Sequence, residues 1–231
     1  MHALTLALIV LAGGLYAAGL RRLWGKAGKG RGVSFSRAAL FATGLLITAV
    51  ALLSPLHHYA ERYLWAHMVQ HELLMVLAAP LLILGRPVEA WAWALPPGWR
   101  SWMRMPRLLS DPAMAWTLHG AAIWLWHVPA FFLAAVSHPW LHVAQHASFF
   151  VTAVLFWWSL RGLGGMLSLF TTMVHTGALG ALMALAPASW YAGYALEDQQ
   201  LAGLVMWVPA GLAYPLAALL VGSQWLRRAP A

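Results

Sequence analysis

The chain of 231 residues contains no cysteine and very little charge. The first absence removes disulfides and thiolate ligands, so any metal must be held by His, Met, carboxylate or backbone oxygen. The second is severe: 9% charged against 62% hydrophobic residues, with only six Asp and Glu, departs far from the balance of a soluble domain. Signatures of covalent and phosphate chemistry are missing as well. There is no G-x-S-x-G, no H-E-x-x-H and no Gly-rich phosphate loop, and neither Ser34 nor Ser148 has an evident base beside it. These absences point away from an enzyme and toward an integral membrane protein.

Apolar runs are what the chain has in abundance. Seven are long enough to serve as spans, at about 3–20, 38–53, 63–84, 113–134, 139–160, 166–185 and 200–221. They predict an all-α polytopic fold of seven transmembrane helices in a single helical-bundle domain over 1–231. The first run is followed, not preceded, by Arg21 and Arg22, so it reads as a retained span and not a cleaved signal. The net charge of +8 does not mark a nucleic-acid surface, because the basic residues fall in short segments between the runs. Placing alternate loops on opposite sides leaves thirteen of the fourteen Lys and Arg together, Arg62 being the exception. That asymmetry predicts an outside N-terminus and a cytoplasmic C-terminus carrying Trp225, Arg227 and Arg228. Segment 86–112, with Arg86, Arg100, Arg104, Arg107 and a Pro96-Pro97-Gly98 break, is expected at the cytoplasmic interface.

The third run, LWAHMVQHELLMVLAAPLLILG (64–85), carries ionisable groups where they are costly, which marks a pathway, a cofactor or a metal. At 3.6 residues per turn His67, His71 and Met75 share one stripe, with Met68 and Glu72 beside it. The same spacing of four recurs in the fifth run at His138, His142 and His146, and imidazoles one turn apart can ligate one ion or two adjacent ions. With a rise of about 1.5 Å per residue, His71, His146, His127 and Met206 fall in one layer roughly 9 to 13 Å deep, and His67 and His142 in a shallower one. His57, His58 and His138 lie at the outer surface. Candidate ligands are therefore His67, His71, His127, His142 and His146, with Met68 and Met206; Glu72 is a ligand, a hydrogen-bond acceptor for a ligand or a carboxyl kept neutral. His119 and His175 read as structural hydrogen-bonding residues. Imidazole with thioether suits copper, Cu(I) above all, although zinc, iron and nickel also accept imidazole. Haem b is the alternative, as one bis-His haem; two stacked haems are excluded because His67 and His71 are only about 6 Å apart along the helix axis.

The segments AHMVQHELLMVLAAPLLILGRP (66–87), IWLWHVPAFF (123–132), LHVAQHASFFVTAVLFWW (141–158) and EDQQLAGLVMWVP (197–209), with SPL before the third span, resemble the multi-span CtaG family of cytochrome c oxidase assembly factors. The resemblance runs from about Ser54 to Pro209. It implies a bacterial plasma-membrane protein needed to mature a haem–copper oxidase, with copper insertion as the suspected task. Oxidase subunits, and periplasmic copper chaperones, are the partners it implies. His67, Met68, His71, His127, His142, His146, Asp198 and Met206 match the family's motifs. Where the family pattern has an acidic residue after S-P-L, this chain has His57, followed by His58. The expected route is capture at His57, His58 and His138, passage through the His67/His142 layer, and holding at His71, His127 and His146, with Met206. A metal-free assembly scaffold is the remaining alternative.

Overall fold

The structure, a computed structural model, describes residues 2–103, 109 and 111–227, with the side chains of 101–103 left out. Arg104, Arg107 and Arg228 lie outside the described residues. Among those described the chain is all-helical, with eleven α-helices, a π segment and a 3-10 turn. Five helices are long and apolar enough to cross a membrane: α1 (His2–Ala27), α2 (Phe35–Leu53), the composite α4–π–α5 (Leu64–Leu84), α10 (Gly162–Ala184) and α11 (Leu196–Leu226). The pair α7 (Pro112–His127) and α8 (Pro129–Ser137) makes a sixth if taken as one broken span. Helix α9 (Pro139–Ser159) has the length, but His142, Gln145 and His146 interrupt its apolar character.

Local chemistry accounts for the boundaries. Ser34 caps α2 by accepting from the Arg37 N–H at 3.3 Å, and Ser54 both ends α2 and caps the short helix α3 (Pro55–Ala60), which occupies what reads in the sequence as a turn. Asp111 caps α7 by accepting from the Met114 N–H, and Pro112 stands at its first position.

Two departures from straight spans shape the interior. The run at 113–134 is expected as one helix, yet it bends by 78° between α7 and α8. Pro129 has no N–H to continue the ladder and holds Val128 extended (φ −63°, ψ 126°), and the Tyr191 hydroxyl donates at 2.9 Å to the His127 carbonyl. In the third span, α4 (Leu64–Glu72) passes into a π segment (Leu73–Ala78) before α5 (Ala79–Leu84), which carries Pro80 in its first turn. The Ala79 N–H bonds to the Leu74 carbonyl, five residues back, which takes it away from Met75; the Trp157 indole donates to the Met75 carbonyl instead, at 2.8 Å.

The apolar interior has two parts. The larger joins α4, the π segment and α7–α11 around Phe132, Phe149, Phe156, Tyr191 and Tyr214. The smaller joins α1, α2, α5 and α6 (Pro87–Ala94), with Tyr16 stacked on Phe41 at 3.8 Å. Helix α6 packs along α1: Tyr16 donates to the Gly85 carbonyl, Trp91 to that of Ala12 and Arg22 to that of Ala94. Helices α10 and α11 approach backbone to backbone where Gly180 faces Gly203, and a Cβ on Gly203 would stand 2.5 Å from the Gly180 carbonyl oxygen.

The helices alternate direction, so the molecule has two unlike ends. One gathers His2, α3, the starts of α4, α9 and α11, and the α7–α8 bend. The other gathers the end of α1, the α1–α2 and α9–α10 turns and the end of α11, with Gly162 beside Trp225. Of the described Lys and Arg residues, Arg62 alone lies at the first end, between α3 and α4.

Candidate metal centre

At the first end the four-residue spacings of α4 and α9 interdigitate. Ring centroids lie 4.4 Å apart for His67–His71 and for His142–His146, and across the helices they lie 5.3 Å apart for His67–His142, 5.8 Å for His67–His146 and 5.2 Å for His71–His146. Close backbone packing of α9 on this span occurs at the π segment and α5, leaving the rings to fill the space beside α4. One nitrogen from each of His67, His71 and His146 lies within 4.8 Å of the other two. His127, at the end of α7, is next to them, its ring 6.5 Å from that of His71. Depth along the helices predicts His71, His146, His127 and Met206 in one layer and His67 in a shallower one; the structure places His67 closer to the His71/His146 pair than His127, because two staggered i,i+4 pairs mesh like teeth, and leaves Met206 in the larger core.

The centre is buried and short of partners. His67 and His71 are 1% exposed, His127 4% and His146 9%. His67 Nε2, both nitrogens of His71, and the Nε2 atoms of His127, His142 and His146 have no hydrogen-bond partner. Buried polar atoms in native proteins are almost always paired, and each orphan costs about 1–3 kcal/mol. A cation accepting several of these lone pairs would remove that cost. The tautomer of His127 suits this: its Nδ1–H donates to the Ile123 carbonyl at 2.7 Å, which leaves the Nε2 lone pair free. Phe132 from α8 packs on His67 at 5.2 Å and Phe149 on His71 at 4.6 Å, so aromatic rings close the sides.

The imidazole series continues outward. His57 in α3 stacks on His142 at 5.8 Å and meets His2 edge-on at 5.0 Å. His2, Ser54, Pro55, His57, His58 and Glu61 line an open pocket of about 580 Å³. Glu61 lies 3.9 Å from His57 Nε2 and 3.5 Å from His58 Nδ1. Burial holds His57 below the usual imidazole range, as does His2, while Glu61 pulls the other way.

The remaining candidates take other places. His138 is exposed, its Nδ1 turned back to the Ala134 carbonyl at 3.1 Å. Asp198 is a remote cap: its carboxylate accepts from the Leu64 N–H at 2.8 Å and the Trp65 N–H at 3.0 Å, fixing the start of the helix that bears His67. Met68 and Met206 are buried in the larger core. Glu72 lies about 100° round the helix from His71, within electrostatic reach of Tyr214, and its Oε2 has no partner. His119 bonds Thr152 and His175 accepts from the Trp124 indole, and the Nε2 of each is buried without a partner. Two site residues receive no role from the sequence. His2 stands outside any repeat, and Gln70, fully buried, lies in the AHMVQH segment that carries the family resemblance, but its part in the site shows only in what it touches.

The family model for cytochrome c oxidase caa3 assembly factors, Caa3_CtaG, matches residues 14–228. The chain belongs to this family. As a Caa3_CtaG member it is 27% identical to an uncharacterised protein of Mycobacterium bovis and to one of Mycobacterium tuberculosis, over 95% of its own length. It spans only 38% of the length of each of these relatives. No solved structure matches it. The Caa3_CtaG match covers the imidazole centre from His57 inward, while His2 lies ahead of the matched residues.

Proposed function

We propose that this chain carries copper, as cuprous ion, for maturation of a haem–copper cytochrome c oxidase in a bacterial plasma membrane. The observation that carries the reading is the buried triad of His67, His71 and His146, which brings one nitrogen of each ring within 4.8 Å of the others and includes several nitrogens without a hydrogen-bond partner. Three neutral imidazoles, with a thioether such as Met206 or Met68 in reserve, suit Cu(I) in a chain without thiolates. Metal–nitrogen bonds of about 2.0 Å bring ligand nitrogens to roughly 3.4 Å from one another, so the triad has to contract by about 1 Å when loaded. Side-chain rotation supplies that.

In this reading the molecule crosses seven times, its N-terminus outside and its C-terminus in the cytoplasm, and the basic end faces inward. Copper enters at His57 and His58, with His2 beside them and His138 at the rim. It passes His142 and is held by the triad, with His127 beneath. An oxidase subunit receives it laterally within the membrane. Haem b is the weaker reading for a specific reason: a porphyrin between His71 and His146 would have to displace Phe149, His67 and His127, whose rings crowd the same space.

Competition between the purified protein and a chromogenic cuprous chelator tests the proposal. One cuprous ion per chain and no Soret band are expected, and His71→Ala should weaken binding by at least about 100-fold, since loss of a mere supporting contact to a ligand already costs 10- to 100-fold. Stoichiometric iron with a Soret band would replace copper by haem. Oxidase maturation surviving both His71→Ala and His146→Ala would leave the scaffold reading instead.

A further inference from the structure

We infer that Gln70 is a positioning residue that occupies the His57 Nδ1 lone pair and so makes His57 a gate between the outer pocket and the buried imidazoles. The purpose of the gate rests on the proposed carriage of copper; its geometry does not.

Gln70 Nε2 lies 2.6 Å from the Ala51 carbonyl oxygen and 3.1 Å from His57 Nδ1. An atom so near a carbonyl oxygen is a donor, which assigns it as the amide nitrogen; the reversed amide would press two oxygens together. Both amide hydrogens are then used, one on Ala51 and one on His57. His57 Nδ1 is thus an acceptor, and the neutral ring carries its proton on Nε2, toward Glu61. Neither nitrogen offers a free lone pair to a cation in the pocket.

His57 is also the ring that touches both compartments, meeting His2 on the pocket side and His142 on the inner side. Withdrawal of the Gln70 amide frees Nδ1 without moving a proton, and a cation bound there has His142 as its next neighbour. Gln70 also has a structural duty, since its amide serves the Ala51 carbonyl, whose i+4 residue, Pro55, has no N–H to offer. A leucine would fill the space and remove the unpartnered Oε1, at the cost of leaving the Ala51 carbonyl and His57 Nδ1 without this donor.

The test uses the purified full chain in lipid nanodiscs, with histidine labelled by nitrogen-15. In the metal-free protein His57 should carry its proton on Nε2, and Gln70→Leu should shift the Nδ1 resonance as its hydrogen bond is lost. Cuprous ion delivered from a chelator in stopped flow should load Gln70→Leu about ten-fold faster, the worth of about one net hydrogen bond, with final affinity within about two-fold of wild type. Gln70→Met serves as a second variant if the leucine chain fails to insert. A wild-type His57 protonated on Nδ1, or variants that load at the wild-type rate to full occupancy, would overturn the gate. If no version of the protein takes up cuprous ion, the cargo is wrong, while the nitrogen-15 spectra of the metal-free protein still decide whether Gln70 holds His57.

Discussion

At the scale of single residues the centre depends on which nitrogen of each ring is spoken for. His127 is held by a backbone carbonyl and His57 by an amide, while His71 is held by nothing. His57 gives a pH test with a definite sign. Its pKa in the folded protein lies below the ordinary imidazole value, so between the two values the unfolded chain binds more protons. Stability from burying His57 neutral is complete above about pH 6.5 and falls as pH drops toward the folded value. Thermal unfolding in detergent between pH 7 and 5 should therefore lose less stability in His57→Gln than in wild type; equal losses would contradict the assignment. The i,i+4 histidine pairs are legible in the sequence because helical periodicity alone sets them on one face. Their convergence is not, since it depends on how far α4 and α9 stand apart. Gln70 stands in the AHMVQH segment, but its role is not legible there because one amide does not name its partners.

At the scale of elements, caps and close crossings hold the rings in register. Asp198 ties the start of α4 to α11 from 134 residues away in sequence. Asp198→Ala should cost about 1 kcal/mol of stability and weaken copper binding through the freed His67, whereas Asp198→Asn should retain most of both. A melt and a competition titration on the two variants read this directly. The Gly180–Gly203 crossing is less tolerant. Gly203→Leu should destabilise by about 3 kcal/mol or prevent folding, while Gly211→Leu, with nothing within 4 Å of its Cβ position, should melt near wild type. Hydropathy marks these helices correctly but is blind to hydrogen-bond offset, which is why the π segment at Leu73–Ala78 reads as ordinary helix. It is equally blind to the angle at Pro129, since the apolar run continues through the bend.

At the scale of the whole molecule, the charge asymmetry read from the sequence gathers at one end of the bundle and predicts that this end faces the cytoplasm. The absence of native cysteine makes that orientation testable. In intact spheroplasts Glu197→Cys should react with a membrane-impermeant maleimide, and Lys29→Cys should react only after permeabilisation. The reverse pattern would invert the orientation and with it the direction of copper entry. The bundle's alternation of direction follows from short connections between long apolar runs. Its division into two apolar interiors does not, because it needs α6 to turn back along α1.

One feature of the meshed rings also limits traffic. His67 lies within 6 Å of both rings of the α9 pair, and His146 within 6 Å of both rings of the α4 pair, so any two neighbouring positions for a cation share donors. Two monocations about 5 Å apart would in addition repel by about 3 kcal/mol at an effective dielectric of 20. Under the proposed carriage of copper, such a row would admit one passenger at a time. The next ion would wait in the vestibule until the berth is vacated, and the cargo would leave in single doses.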